Sequence, residues 1–267
     1  MTENLPNLSV IFPDSWFSDH TNAVHPLFAM ASDARDPSLL NLQVIDTELG
    51  KLRQLGLLQN KRLRIYLQNP TQFLNTFSEI HVALHLARKG FKPNWGRKNG
   101  PDIVISELET DIEVKNLKDS KKFGDPGDYA PEIDDQYRIE DMLAMKKIIH
   151  RLDVHRVNLV VVGVVSIGVD EFEDLFLFSN QYHINPETKS MIRYFDGLFS
   201  SEKYKSLSAI VMMKDPFERW LNPWRRKETR PGEPEFSGLS NPRCAREVPG
   251  NLKDAFRIFD TLSLRAK

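Results

Sequence analysis

Three acidic side chains and one lysine stand where the sequence pattern leaves little room for charge. The stretch GPDIVISELETDIEVKNLK, residues 100–118, reads as two short apolar runs joined by an acidic turn. Asp102, Glu113 and Lys115 are set into or beside those runs. Strand side chains alternate between faces. Glu113 and Lys115 therefore point one way, while Ile112 and Val114 point the other. Ile103 and Ile105 likewise face away from Asp102 and Val104. If the two runs pair as a hairpin, Asp102, Glu113 and Lys115 share one face. The wet face of an ordinary antiparallel pair would carry the same residue types. A third carboxylate comes from the preceding helix pattern. At about 100° per residue, Phe77, Ile80, Leu84, Ala87 and Phe91 form an apolar arc, widened by Val82, Ala83 and Leu86. Glu79 falls inside that arc, between Ala83 and Leu86. A carboxylate buried without a partner is costly, so Glu79 calls for a metal, a lysine or an arginine; a buried ion pair or a place at the arc's margin meets the same need. Clustered carboxylates repel one another and a divalent cation removes that repulsion. Oxygen ligands of this kind suit Mg2+ or Mn2+.

In chain order, FSEIHVALHLARKGF, GPDIVI and DIEVKNLK supply a helix glutamate, a Pro-Asp at the start of one strand and a D/E-x-K on the next. This order resembles the PD-(D/E)xK nuclease superfamily, which has the restriction-endonuclease-like fold. The matching positions are Glu79, Pro101, Asp102, Glu113 and Lys115. The resemblance covers about residues 70–165, and more weakly Leu207 to Met213 and the turn at Asn241 and Pro242. The Gln-x-x-x-Tyr signature of one branch is missing, since Gln136 is followed at once by Tyr137. The resemblance implies a Mg2+-dependent phosphodiesterase, with Mn2+ as a substitute, cutting nucleic acid and DNA rather than RNA. It implies Asp102 and Glu113 as metal ligands, the Val114 carbonyl as a third, and Glu79 completing the shell directly or through water. Lys115 would touch the attacking water or a phosphate oxygen. It also implies a homodimer or a partner protein. A second reading keeps the fold without the chemistry, as a catalytically idle nuclease-like domain serving nucleic-acid binding or assembly. A third is an unrelated α/β protein whose hairpin shows a polar face.

Several elements must position these groups. Leu42, Ile45, Leu49 and Leu52 recur at helical spacing, and Gly56 ends that helix. A second helix is expected over Lys61 to Gln68. A third opens at Pro70 and Thr71, runs to about Lys89 and is closed by Gly90. Residues 1–39 read as irregular, with a short strand at Leu8 to Phe12. Residues 118–135 read as a polar loop, followed by a helix from Asp135 to Leu152 that carries Lys146 and Lys147. Val157 to Ile167 is apolar and β-branched, which fits a strand buried on both faces. Leu207 to Met213 is another strand. Trp220 to Gly250, with its five prolines, reads as mostly loop. The order predicts an α/β domain: a restriction-endonuclease-like mixed sheet flanked by helices over residues 70–267, after a mostly helical N-terminal extension, residues 1–69.

Composition narrows the setting. The chain has 267 residues, 40% hydrophobic and 27% charged, and a net charge of −1. That balance excludes a basic protein that coats nucleic acid without preference. Phosphate contact would fall to local patches at Lys51–Arg64, Arg88–Lys98 and Arg225–Arg230, each of which alone reads as solvated surface. Residues 217–228, FERWLNPWRRKE, interleave aromatics with cations, as single-strand binders do, although Trp220 and Trp224 covering a core is the plainer reading. His81 and His85 lie one turn apart, yet no Glu follows His81 directly, so they read as surface histidines. The single Cys244 excludes an internal disulfide and a cysteine-built zinc site. No apolar run approaches the ~20 residues of a bilayer span and no secretory start is present, so a cytoplasmic setting is expected.

Overall fold

The structure is a computed structural model that describes residues 5–32, 36–97, 99–117, 148–164, 195–214 and 233–260. The loop expected at 118–135, Gln136, Tyr137, Lys146, Lys147 and the stretch 217–228 lie outside the described residues, as does most of the helix expected from Asp135; its last residues hold a 3-10 turn, Ile149–Arg151. The chain divides into two compact units, Met1–Arg88 with Pro216–Glu233, and Lys89–Asp215 with Pro234–Lys267.

The described elements of the first unit are helices: α1 Leu8–Ile11, α2 Asp14–Phe17, α3 Pro26–Ser32, α4 Asp36–Gln54, α5 Lys61–Leu67 and α6 Phe73–Arg88. The strand expected at Leu8 to Phe12 is therefore a helical turn. Leu8, Ile11 and Phe12 are buried while Val10 is 47% exposed, which is the i, i+3, i+4 pattern of a helix. Asp46 fixes this turn by accepting from the backbone amides of Asn7 at 2.8 Å and Leu8 at 2.7 Å. Gly56 closes α4 as expected. Its φ is +70°, its amide donates to the Arg53 carbonyl, and the Leu57 amide donates to Leu52. That pair of bonds is the Schellman arrangement. Asn60 caps α5 by accepting from the Arg62 and Leu63 amides. Gly90, at φ +87°, ends α6. Helix α6 is buried almost all round, and His81 is only 5% exposed. The surface reading of His81 fails because the helix has no wet side there; its ring packs edge-on against Phe77.

The second unit is built on a seven-stranded mixed sheet in sequential order: β1 Asn94–Trp95, β2 Ile103–Ile105, β3 Thr110–Leu117, β4 Val157–Val164, β5 Ala209–Lys214, β6 Glu235–Ser240 and β7 Ile258–Asp260. The β1–β2–β3 pairs are antiparallel, β3–β4–β5 are parallel, β5–β6 is antiparallel and β6–β7 is parallel. Mixed α/β architecture is thus what the residues build. The apolar run of β4 is buried on both faces, from Val157 to Val162. On one face, Val160, Val162, Ile210, Met212 and Leu239 join a core with Ile148, Ile149, Phe195 and Phe199. A short helix, α7 Gly250–Phe256, brings Phe256 edge-on to Phe236 of β6.

Within the stretch expected to be mostly loop, Trp220 to Gly250, the described residues include strand β6. Its prolines, Pro234 and Pro242, bracket the strand and do not interrupt it, so the ladder keeps its donors. Asn241, in the turn after β6, donates to the carbonyls of Tyr204 and Leu207 and ties that turn to the start of β5.

Candidate functional site

The hairpin sets the site. In β2 and β3, Ile103 lies opposite Ile112, Val104 opposite Asp111 and Ile105 opposite Thr110. The connection is a 3-10 turn, Ser106–Leu108, closed by Glu109 at φ +46°. Continuing that register one step places Asp102 across from Glu113, and the Asp102 amide donates to the Ile112 carbonyl at 3.0 Å. Directly opposed residues share a face, so Asp102 joins Glu113 and Lys115. Gly96 holds the start of this arrangement. Its amide donates to the Asp102 carbonyl at 3.0 Å, and a Cβ at Gly96 would sit 1.7 Å from the Pro101 carbonyl oxygen. Only glycine lets β1 close on the Pro-Asp pair.

Lys115 is the hub. Its Nζ lies 2.6 Å from Asp102 Oδ2 and 2.9 Å from Glu113 Oε2. It also donates to the Val114 carbonyl at 2.9 Å. An ammonium has three hydrogens, and each finds an acceptor here. Asp102 Oδ2 accepts a second bond from the Val114 amide at 2.9 Å. Glu113 is 3% exposed and Asp102 6%. This is not the wet face of a hairpin. The neighbours on the same face, Val160 beside Glu113 and Val162 beside Lys115, belong to the core.

The electrostatics follow from that burial. Glu113 is pushed above the usual carboxylate range, first by burial and then by the Asp102 charge, against the pull of Lys115 and Arg151. Burial presses the Lys115 ammonium down, yet the Asp102 and Glu113 carboxylates outweigh it and hold its pKa above the ordinary lysine value. Lys115 is therefore charged at neutral pH. Asp111, two residues before Glu113, is raised by burial and opposed by Arg156, whose Nε lies 2.9 Å away.

Of the residues singled out from sequence, Asp102, Glu113, Val114 and Lys115 come together. Glu79 belongs to the first unit, where it is buried on α6. Among the described residues no group of three or more His, Cys, Asp or Glu side chains is gathered as a ready metal shell. The donor chemistry of the hairpin nonetheless fits a hard divalent ion. Two buried carboxylate side chains, Asp102 and Glu113, and the Val114 carbonyl lie around one ammonium, an all-oxygen donor set of the kind such an ion takes. Asn116 points to the other face by alternation; it is 3% exposed, and neither amide atom has a hydrogen-bond partner among the described residues. Two contributors escaped the sequence reading. Gly96 carries no pattern beyond being a glycine near Pro101. Arg151, whose Nη2 lies 3.4 Å from Glu113 Oε2, sits 38 residues away along the chain. No family model, no curated protein and no solved structure matches this chain.

Proposed function

We propose that the chain is a metal-dependent nuclease of the PD-(D/E)xK type with a restriction-endonuclease-like fold, hydrolysing phosphodiester bonds in DNA in preference to RNA. One observation carries this reading: Asp102 and Glu113, both buried, converge on a single half-buried Lys115. Well-packed apolar residues generally serve stability as well as or better than a buried ion cluster. A charged cluster kept beside the core, on the interior strands β2 and β3, therefore points to chemistry.

Asp102, Glu113 and the Val114 carbonyl would hold Mg2+ or Mn2+. The ion, when bound, supplies Lewis acidity that activates water and offsets phosphate charge. The protein's own groups do the rest. The Val114 amide fixes the Asp102 carboxylate, and Asp102 orients the Lys115 ammonium. Held charged, Lys115 cannot take a proton from water. It acts as a donor to the attacking oxygen or to a phosphoryl oxygen, where negative charge develops. A homodimer or a partner protein and a cytoplasmic setting belong to the same proposal.

The test is incubation with single-stranded, double-stranded and branched DNA and with RNA, in Mg2+ and in Mn2+. Cleavage by the wild type and its loss in Asp102→Ala and Lys115→Ala is the expected result. Variants that cut as well as wild type would remove the assignment. A wild type that binds DNA and never cuts it would favour the idle domain.

A further inference from the structure

Arg151 ends the 3-10 turn Ile149–Arg151, shortly before β4. Its base is fixed: the Arg151 amide donates to the Ile148 carbonyl at 2.9 Å, and Ile148 and Ile149 are part of the core. Its tip is not enclosed. The Arg151 side chain is 41% exposed, whereas that of Glu113 is 4% exposed. Glu113 Oε2 thus faces two cations of different kinds. Lys115, its side chain 17% exposed, is 2.9 Å away; Arg151 reaches in from solvent and stops at 3.4 Å. Arg156, on the same connection, is a contrast. Its Nε is 2.9 Å from Asp111 and its side chain is less exposed, at 28%. Arg156 is committed to its carboxylate, and Arg151 is only loosely engaged.

A guanidinium has a planar fork of donors that matches phosphate and is more weakly hydrated than an ammonium. One held lightly over a buried carboxylate, with its tip in solvent, can leave that carboxylate at small cost. Divalent cation and guanidinium also compete for the same oxygen, since each offsets the same negative charge. We propose that Arg151 is a substrate-phosphate ligand of this site. It offsets Glu113 when no metal is bound, and it turns to a nucleic-acid phosphate when a divalent ion takes over Glu113. This inference rests on the nuclease reading above.

The test uses the full chain as wild type, Arg151→Ala and Arg151→Lys. Mn2+ affinity without nucleic acid is read by electron paramagnetic resonance of the free ion, and kcat and KM are read on DNA. Arg151→Ala is expected to bind Mn2+ more tightly, roughly 3- to 10-fold, because a competing surface charge is gone. Its kcat/KM is expected to fall about 10- to 100-fold, the range for losing one charge-assisted hydrogen bond. Arg151→Lys should recover part of that fall, since it restores charge without the fork. Weaker Mn2+ binding in Arg151→Ala would show that Arg151 merely braces Glu113, and would overturn the proposal. So would unchanged affinity with unchanged kcat/KM. If the wild type binds Mn2+ and cuts while Arg151→Ala is indistinguishable from it, Arg151 alone is misassigned. If the wild type neither binds Mn2+ nor cuts, the nuclease reading fails and this proposal falls with it.

Discussion

Replacing Lys115 with methionine keeps the unbranched shape of the side chain, one atom shorter, and deletes its charge. The wild-type ammonium lies 2.6 Å and 2.9 Å from two carboxylate oxygens. At an effective dielectric constant of about 20, each contact is a gross attraction of roughly 6 kcal/mol. Desolvation of the three ions consumes several kcal/mol per ion, so the gross figure is not the net one. The net cost of removing one member of a buried pair is about 3–5 kcal/mol, because the partners stay buried without their counter-charge. For a body of this size that lowers Tm by roughly 6–20 °C. The sign of the pH dependence is a sharper test. Glu113 is already raised in the wild type, by burial and by Asp102. Its share of stability is therefore complete below its unfolded pKa and is lost as pH rises through the folded value. Without Lys115, Glu113 loses one of the charges that oppose its upward shift and rises further, so the folded state holds its proton to higher pH than the unfolded chain does. Stability of Lys115→Met should then climb as pH is lowered from about 8 to about 5, more steeply than in the wild type. Adding Glu113→Gln should restore most of the loss, since the repulsion goes with the second charge. Thermal melts in chelator across that range are the assay. A variant with the wild-type Tm and the wild-type pH slope would refute the reasoning, because the three groups could not then be in close contact.

Other perturbations probe the frame around the site. Gly163→Ala would place a Cβ 2.1 Å from Asn116 Oδ1 and should cost about 1–3 kcal/mol; Asn116→Ala, which removes a buried amide without partners among the described residues, should be near neutral alone and should rescue Gly163→Ala in denaturant titrations. His25 is 1% exposed, its Nε2 donates to the Leu67 carbonyl at 2.8 Å, and burial lowers its pKa. Its contribution is complete above the unfolded value of about 6.5 and is lost as pH falls towards the folded one; His25→Gln should flatten that part of the stability profile, and an unchanged slope would assign it elsewhere. Asp46→Ala removes the acceptor for the Asn7 and Leu8 amides and should cost about 1–3 kcal/mol, seen as faster amide exchange across residues 7–12.

What could be seen in the sequence depended on the range of the physics. Helices α4, α5 and α6, and the glycines that close α4 and α6, were legible because periodicity and positive φ are local. Strands β2 to β5 were legible because alternation or unbroken β-branched runs mark them. The grouping of Asp102, Glu113 and Lys115 followed from strand parity alone, and the structure shows that these side chains do meet. Their burial was not readable there, since it depends on β4 and on the core that covers its face. The turn at Leu8 was misread as a strand because four residues fit either period, and Asp46, which decides the matter, is 38 residues away. Strand β6 was hidden by counting prolines without asking whether they fall inside or beside an element. Arg151 and Gly96 act through space, and no spacing rule announces them.

Strand β3 writes two texts on alternate residues. The odd positions Asp111, Glu113 and Lys115 are charged, and the even positions Ile112, Val114 and Asn116 face the opposite side of the sheet. Inserting or deleting one residue between Thr110 and Lys115 would exchange the texts, sending carboxylates into packing positions and aliphatics to the charged cluster. A one-residue change in the Ser106–Glu109 turn would spare β3 and slide Asp102 along it by about 3.4 Å. Divergence in this segment is therefore open to replacement of letters and closed to changes of length, which gives any distant relative a fixed ruler against which to be aligned.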